Sequence, residues 1–538
     1  MPADLVFLNG PIFTASAARS FVRALAVTGD RISGLGGELD VSPAIGADTR
    51  VVDLAGRLLA PGFQDAHVHP SSSGLDLLEC SFEGCSNATD ALAYVAEYAR
   101  SHPDLDWIRG AGWQQVWFRD GRPPKELLDS VLPNRPVLVW NADGHGAWAN
   151  SAALRLAGID ASTPDPPDGR IERNPDGLPQ GTLHEGAGSL VAAVMPDLTL
   201  DDVRRGILRG QLYLLSKGIT TWQDAHVDRL EHDAYRSLAE AGDLIGGARG
   251  AMWWDRTAGL DQIAELEAMR SEPLGKYRPV SVKLMLDGVV ETNTAAMLEP
   301  YLDRSGRPTE NHGIDFIDPG ELKGIVIELD RRGFSCHFHA IGDAAVRNGL
   351  DAIEAARLEN GWTRNRHHIC HLQVVHPDDV PRFRQLGVTA NAQALWAQDG
   401  RDQQELTLPF LGPERSGWQY PFASLIHAGA TLAMGSDWGV STADVMAQID
   451  IAVTRANPDE PDLPPLNASE RITFLDALTA FTAGSAYINH REEVTGTLAE
   501  GMLADLVVLD RDPLGNGPIR DAAVALTVVD GRVVFEEA

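Results

Sequence analysis

Pro61-Gly-Phe-Gln-Asp-Ala-His-Val-His-Pro70 ends an apolar run that begins at residue 59, and it sets His67 and His69 two positions apart. On an extended strand, side chains at i and i+2 point to the same face. Both imidazoles can therefore reach one ion where the strand stops at an open rim, and neutral imidazole is the commonest metal-binding side chain near neutral pH. An HxH pair arises often by chance. Its weight here comes from matching residues hundreds of positions downstream.

Residues 59–68 are the first of eight short β-rich runs. The others are 218–225, 247–254, 280–287, 334–341, 367–374, 388–393 and 431–437. Helical patterns at 201–216, 260–271, 319–332, 343–360 and 377–386 lie between them. Eight such alternations predict an α/β fold built on a parallel (β/α)8 TIM-type barrel over residues 61–486. A long insertion after the first strand, residues 75–215, is aromatic and loop-rich and shows no strand in register. It is expected to set substrate specificity. Both chain ends read as β. Asn9-Gly10, Gly29-Asp30 and Asp530-Gly531 each sit between apolar runs as hairpin turns. Residues 1–60 and 487–538 are expected to combine into one small β-sandwich domain.

The chain has 538 residues, 44% apolar and 22% charged, as in an ordinary globular protein with ample core. A net charge of −31 disfavours nucleic acid and anionic membrane as partners, and reads as solubility or adaptation to salt. Cys80, Cys85, Cys336 and Cys370 are too few for a disulfide scaffold, and Cys80/Cys85 lack a second pair for structural zinc. The N-terminal stretch has no basic segment followed by an apolar one. No apolar run reaches the roughly 20 residues of a membrane span. These features predict a cytoplasmic protein, with a homodimer as the default assembly.

A (β/α)8 barrel carries its active site at the C-terminal ends of its strands. Those ends hold His67 and His69, then Lys283, His339, His371 and Asp437. The four histidines and the aspartate make a ligand set for Zn²⁺ or a similar divalent ion with a position open for water. Such an ion yields hydroxide near neutral pH, and Asp437 suits the role of general acid and base. His337 lies deeper on the face of His339, and His367 is in phase with His371; both read as structural. Trp222, Trp253, Trp254, Trp396 and Trp438 fall at or just past strand ends, where they would line an apolar pocket mouth.

The motifs Asp65-Ala-His-Val-His, His339-Ala-Ile-Gly-Asp, Arg366-His-His-Ile-Cys-His371 and Gly435-Ser-Asp437 resemble the amidohydrolase superfamily. The nearest branch is amidohydrolase family 3, which includes N-substituted formamide deformylases. Asp143-Gly-His-Gly-Ala-Trp-Ala-Asn150, Lys283-Leu-Met-Leu-Asp-Gly288 and Gly501-Met-Leu-Ala-Asp-Leu-Val-Val-Leu509 extend the likeness over almost the whole chain. The resemblance implies that His67, His69, His339 and His371 bind metal and that Asp437 is catalytic. It also implies that Lys283 can be carboxylated by CO₂ (an N6-carboxylysine) to bridge two metals. The alternative is a lysine paired with a carboxylate such as Asp287, and a single metal. His145 is implied to lie near the substrate, or else to form a turn within the insertion; Glu185 is a weaker candidate. Cys370 stands where an acidic residue is expected, on the face opposite His371.

The expected activity is metal-dependent hydrolysis of a non-peptide C–N bond of amide, N-acyl or N-formyl type in a small molecule. An esterase or lactonase, a heterocycle deaminase or a phosphotriesterase would fit the same barrel. A non-catalytic binding module would have lost its ligands.

Overall fold

In the computed structural model, which describes residues 2–82, 84–515 and 517–537, eight strands form one parallel sheet. They are β1 (Phe63–Val68), β2 (Ile219–Val227), β3 (Gly247–Trp253), β4 (Tyr277–Met285), β5 (Ser335–Ala340), β6 (His368–His371), β7 (Thr389–Ala392) and β8 (Thr431–Met434). The sheet runs in sequence order from β1 to β8. The two edges meet just above the strand ends. Asp437 N–H donates to the His67 carbonyl, and His69 N–H to that of Trp438, each at 2.8 Å. The buried Asp65 carboxylate laces the same seam, accepting from His67 N–H and Ser436 N–H at 3.0 Å each. The molecule is thus a nearly closed TIM-type barrel.

Helices pack outside, and their ends follow from local chemistry. Leu200–Ser216 starts at Thr199, whose hydroxyl takes the Asp202 N–H while the Asp202 carboxylate takes that of Thr199. Pro319–Arg331 starts behind Asp318 with proline in the first turn. Such caps contribute about 1 kcal/mol each. Inward-facing apolar positions on these helices merge with the strands into the principal core, which includes Ile207, Leu214, Leu329, Leu350 and Phe338.

The chain ends supply two further sheets. One orders Arg31–Gly36, Ala24–Thr28, Leu5–Leu8 and Arg50–Asp53; the other orders Arg532–Glu536, Val524–Val529, Leu506–Leu509, Leu59–Pro61, Ile12–Phe13 and Phe21–Val22. Phe7, Ile12, Leu25, Leu59, Leu506 and Val528 share one core between them. Asn9-Gly10 is not the hairpin turn expected from its sequence. Leu5–Leu8 pairs with Ala24–Thr28, whereas Ile12–Phe13 pairs with Phe21–Val22 in the facing sheet. Crossing between sheets buries both apolar segments on the same core, which a two-residue hairpin would not do. Asp530-Gly531 does close a hairpin: Val529 pairs with Arg532, and φ is 48° and 72° at the turn residues, as a type I′ turn requires.

The insertion is more regular than its composition suggests. Six short strands, Cys80–Ser81, Ile108–Trp113, Val137–Asn141, Gly146–Ala149, Gly169–Arg173 and Pro179–Glu185, form a mixed sheet with apolar cores around Trp113 and Trp148 and around Leu138 and Leu183. Glycines within these strands blur the alternation that would reveal them. Among the described residues, no helix is long and apolar enough to cross a membrane.

Candidate metal centre and active site

The strand ends bring six of the expected residues into one buried cluster. His67 Nε2 lies 3.4 Å from Asp437 Oδ1, and His69 Nε2 lies 3.2 Å from the same oxygen. Asp437 Oδ2 is 3.7 Å from His371 Nδ1. The His67 and His371 rings are 4.8 Å apart, and the His371 and His339 rings 4.4 Å. Lys283 Nζ is 3.4 Å from His67 Nε2. All are buried except His69, which is half-buried and marks the open side.

Electrostatics suit cation binding. Burial, then the neighbouring positive groups, holds His67, His337, His339 and His371 well below the ordinary imidazole range, so these rings are neutral at neutral pH and each keeps one lone pair. The Gly288 carbonyl, an acceptor only, faces His339 Nε2 at 3.3 Å, which leaves Nδ1 as that ring's lone-pair atom. Burial also lowers Lys283. Among the described residues no carboxylate lies within ion-pairing distance of its amine. Asp287, the alternative partner, instead accepts backbone N–H groups from Ala296, Ile341 and Gly342 at 2.8–3.0 Å.

A divalent ion fits this donor set. His371 Nδ1 and Asp437 Oδ1 are buried with no hydrogen-bond partner, a situation that costs about 1–3 kcal/mol per group unless something else satisfies it. Ligand atoms about 2.1 Å from a tetrahedral zinc stand roughly 3.4 Å apart, close to the spacings found here.

Strand phase alone does not deliver this arrangement. In β6, His368 and Cys370 face inward, so strict alternation would turn His371 outward beside His367. His371 instead adopts φ 75° and Leu372 φ 55°, and the left-handed bend swings the imidazole back over the barrel. Gln393 holds the bend by accepting the His371 N–H at 2.7 Å. Cys370 is consequently not on the far side from the ligands. Its sulfur lies 4.0 Å from Lys283 Nζ and groups with His67 and His371. Its S–H donates to the Phe338 carbonyl at 2.9 Å, and burial pushes the thiol up to about 12. His367 sits at the opposite end, its Nδ1 accepting the Cys336 N–H and its Nε2–H donating to Asp330 at 3.0 Å.

The tryptophans divide. Trp396 stacks on His371 at 5.2 Å, and Trp253 stacks on His226 at 4.2 Å, both at the rim. Trp222 does not line the mouth. It is fully buried on the outer face of β2, with its indole N–H 3.4 Å from the Tyr235 hydroxyl. Trp254 is core as well, and Trp438 stacks on Tyr213 of the helix Leu200–Ser216. Indole fills gaps between strand and helix as readily as it lines a pocket, and type alone does not separate the two.

His145 stands at the tip of the insertion hairpin Val137–Asn141/Gly146–Ala149, its ring 5.4 Å from that of His339. Its Nδ1 bonds Glu185 Oε2 at 2.9 Å, and its N–H donates to Asp143 at 2.8 Å. Burial alone would lower this imidazole, but the Glu185 carboxylate and then Asp143 outweigh it and carry it up to about 9. The insertion therefore places an imidazole that favours its protonated form beside the histidine cluster. Glu185 is itself braced by the Thr294 hydroxyl at 2.9 Å.

A family model described as "Amidohydrolase family" matches residues 50–535. Protein LONG AFTER FAR-RED 3 of Arabidopsis thaliana is 31% identical over 99% of this chain and 92% of its own. An N-substituted formamide deformylase of Arthrobacter pascens is 30% identical over 99% and 98%. The crystal structure of an uncharacterized metal-dependent hydrolase from Pyrococcus furiosus superposes with a TM-score of 0.72 at 25% identity, covering 95% of this chain and all of that one. The chain belongs to the amidohydrolase family and is a metal-dependent hydrolase of small molecules.

Proposed function

We propose that the protein hydrolyses a non-peptide C–N bond of an N-acyl or N-formyl compound. The observation that carries this reading is the convergence of His67, His69, His339, His371, Lys283 and Asp437 at one end of the barrel. His67, His69, His339 and His371 would hold zinc, and Lys283, carboxylated on its amine, would be shared between two such ions. A divalent ion held there supplies Lewis acidity toward a carbonyl oxygen and acidifies water.

Asp437 accepts the proton of the attacking water at its unpartnered Oδ1, and returns it to the leaving nitrogen as the C–N bond breaks. The products are a carboxylic acid and an amine. His145, charged and fixed by Glu185, donates a hydrogen bond to the substrate, and Trp396 offers an apolar wall beside His371. The relative that acts on N-substituted formamides favours an N-formyl amine as the first substrate class to test.

The test has two parts. Metal content of protein purified without added metal or chelator should be near two per chain in the wild type and near one in Lys283→Ala. Turnover should then be read on a panel of N-formyl amines, an ester, a lactone, an aminoheterocycle and a phosphotriester. Release of acid and amine from the formyl compounds supports the reading; hydrolysis of the phosphotriester alone sinks it.

A further inference from the structure

The barrel interior beneath the ligands is polar rather than aliphatic. A single chain of hydrogen bonds runs through it to His67. At its far end the Asp65 carbonyl, which can only accept, lies 3.5 Å from Asn489 Nδ2. That contact turns Asn489 Oδ1 toward Gln223 Nε2, which donates to it at 2.9 Å. Gln223 Oε1 is then left to accept. It takes the Ser281 hydroxyl at 3.0 Å and His337 Nδ1 at 2.7 Å. His337 Nε2 in turn lies 2.8 Å from His67 Nδ1.

Only one proton arrangement satisfies every link. His337 is fully buried, and among the described residues no carboxylate bonds either of its ring nitrogens, so it is neutral and carries one proton. Gln223 claims that proton at Nδ1. His337 Nε2 must therefore accept, and His67 must donate from Nδ1. The consequence is an unprotonated His67 Nε2, the nitrogen that faces Asp437 Oδ1 and Lys283 Nζ.

We propose that His337 is a positioning residue of the metal centre: with Gln223 and Asn489 it fixes the tautomer and ring orientation of His67, so that Nε2 is presented as a ligand before any ion arrives. This rests on the assignment of His67 as a ligand. The sequence conceals the role, because His337 shares strand β5 with the ligand His339 and looks like a fifth ligand or an inert core residue. Partners that orient a metal-binding histidine typically change metal affinity 10–100-fold when removed.

The test titrates zinc alone into metal-free, full-length protein against a competing chelator. His337→Phe keeps the ring volume but cannot accept a proton. His337→Gln restores an acceptor near the position of Nε2. The expected result is a 10–100-fold loss of zinc affinity in the phenylalanine variant, with at least half of the logarithmic loss recovered by glutamine. Affinity within twofold of wild type in His337→Phe overturns the proposal. So does a glutamine variant no better than phenylalanine while both metal-free variants melt near the wild-type temperature. Gln223→Met leaves both histidines in place and tests the same relay if the His337 variants do not fold; an unchanged affinity there overturns it equally. Nitrogen-15 histidine spectra of the metal-free wild type give a readout independent of binding, and a His67 protonated at Nε2 contradicts the proposed chain. A wild type that takes up no zinc fails at the ligand assignment, which distinguishes that failure from failure of the relay.

Discussion

Asp437 is the residue whose surroundings most constrain its role. It lies close to three of the four histidines proposed as ligands, yet one oxygen has no hydrogen-bond partner. Asp437→Asn keeps shape and loses the proton acceptor. It should retain metal while kcat falls by roughly 10²–10⁴, as loss of a general acid/base does; steady-state rates alongside metal analysis check this. For His145 the sign of the pH effect follows from its elevation to about 9 by Glu185, against an ordinary value near 6.5. The charged pair is worth most to the folded state below pH 6.5, and its contribution disappears as pH rises through about 9. In metal-free protein the wild type should thus outmelt His145→Gln at pH 6.5, and the difference should shrink by pH 9.5. A gap that widens with pH would refute the pairing.

At the scale of elements, β6 is where periodicity and function part. Two-residue alternation aligns His371 with His367, but His367 is bound to Asp330 at the bottom of the barrel while His371 joins the histidine cluster at the top. The difference is made by a left-handed backbone at His371 and Leu372, a conformation that costs roughly 1–3 kcal/mol per residue and must be held by neighbours. Gln393 is the holder, itself steadied by Asn391, whose amide reaches the Ala66 carbonyl on β1 at 3.0 Å. Gln393→Leu strips the His371 N–H of its partner and should cost about 1–3 kcal/mol. It should also weaken zinc binding although no ligand is touched. Thermal melting and chelator competition measure the two effects. The insertion hairpin is the complementary case, since its tip brings Asp143 and His145 to the barrel mouth from outside the strand pattern.

Across the whole molecule, the two chain ends share one core and pair with each other directly before the barrel begins. Leu506–Leu509 pairs with Leu59–Pro61, directly before β1, and its side chains complete the core that Phe7, Leu25 and Leu59 begin. Removing residues 500–538 exposes that core. The truncated chain should melt well below the full-length protein or fail to fold, even though every ligand remains; circular dichroism melts decide. The sequence by itself determined the barrel and nominated the residues proposed as its ligands. Eight apolar runs separated by helical patterns admit few other folds, and imidazoles at strand ends converge wherever such a barrel closes. What only the tertiary structure decided were the features that depend on contacts between distant segments. These are the inward swing of His371 and with it the inward face of Cys370, the burial of Trp222 and Trp438 behind the wall, and the Glu185 partner that charges His145. The sheet hidden in the insertion and the crossing at Asn9-Gly10 belong with them. Local pattern records which face a residue would take on an ideal strand. Left-handed backbone, long-range hydrogen bonds and competition for buried volume determine which face it takes in the folded protein.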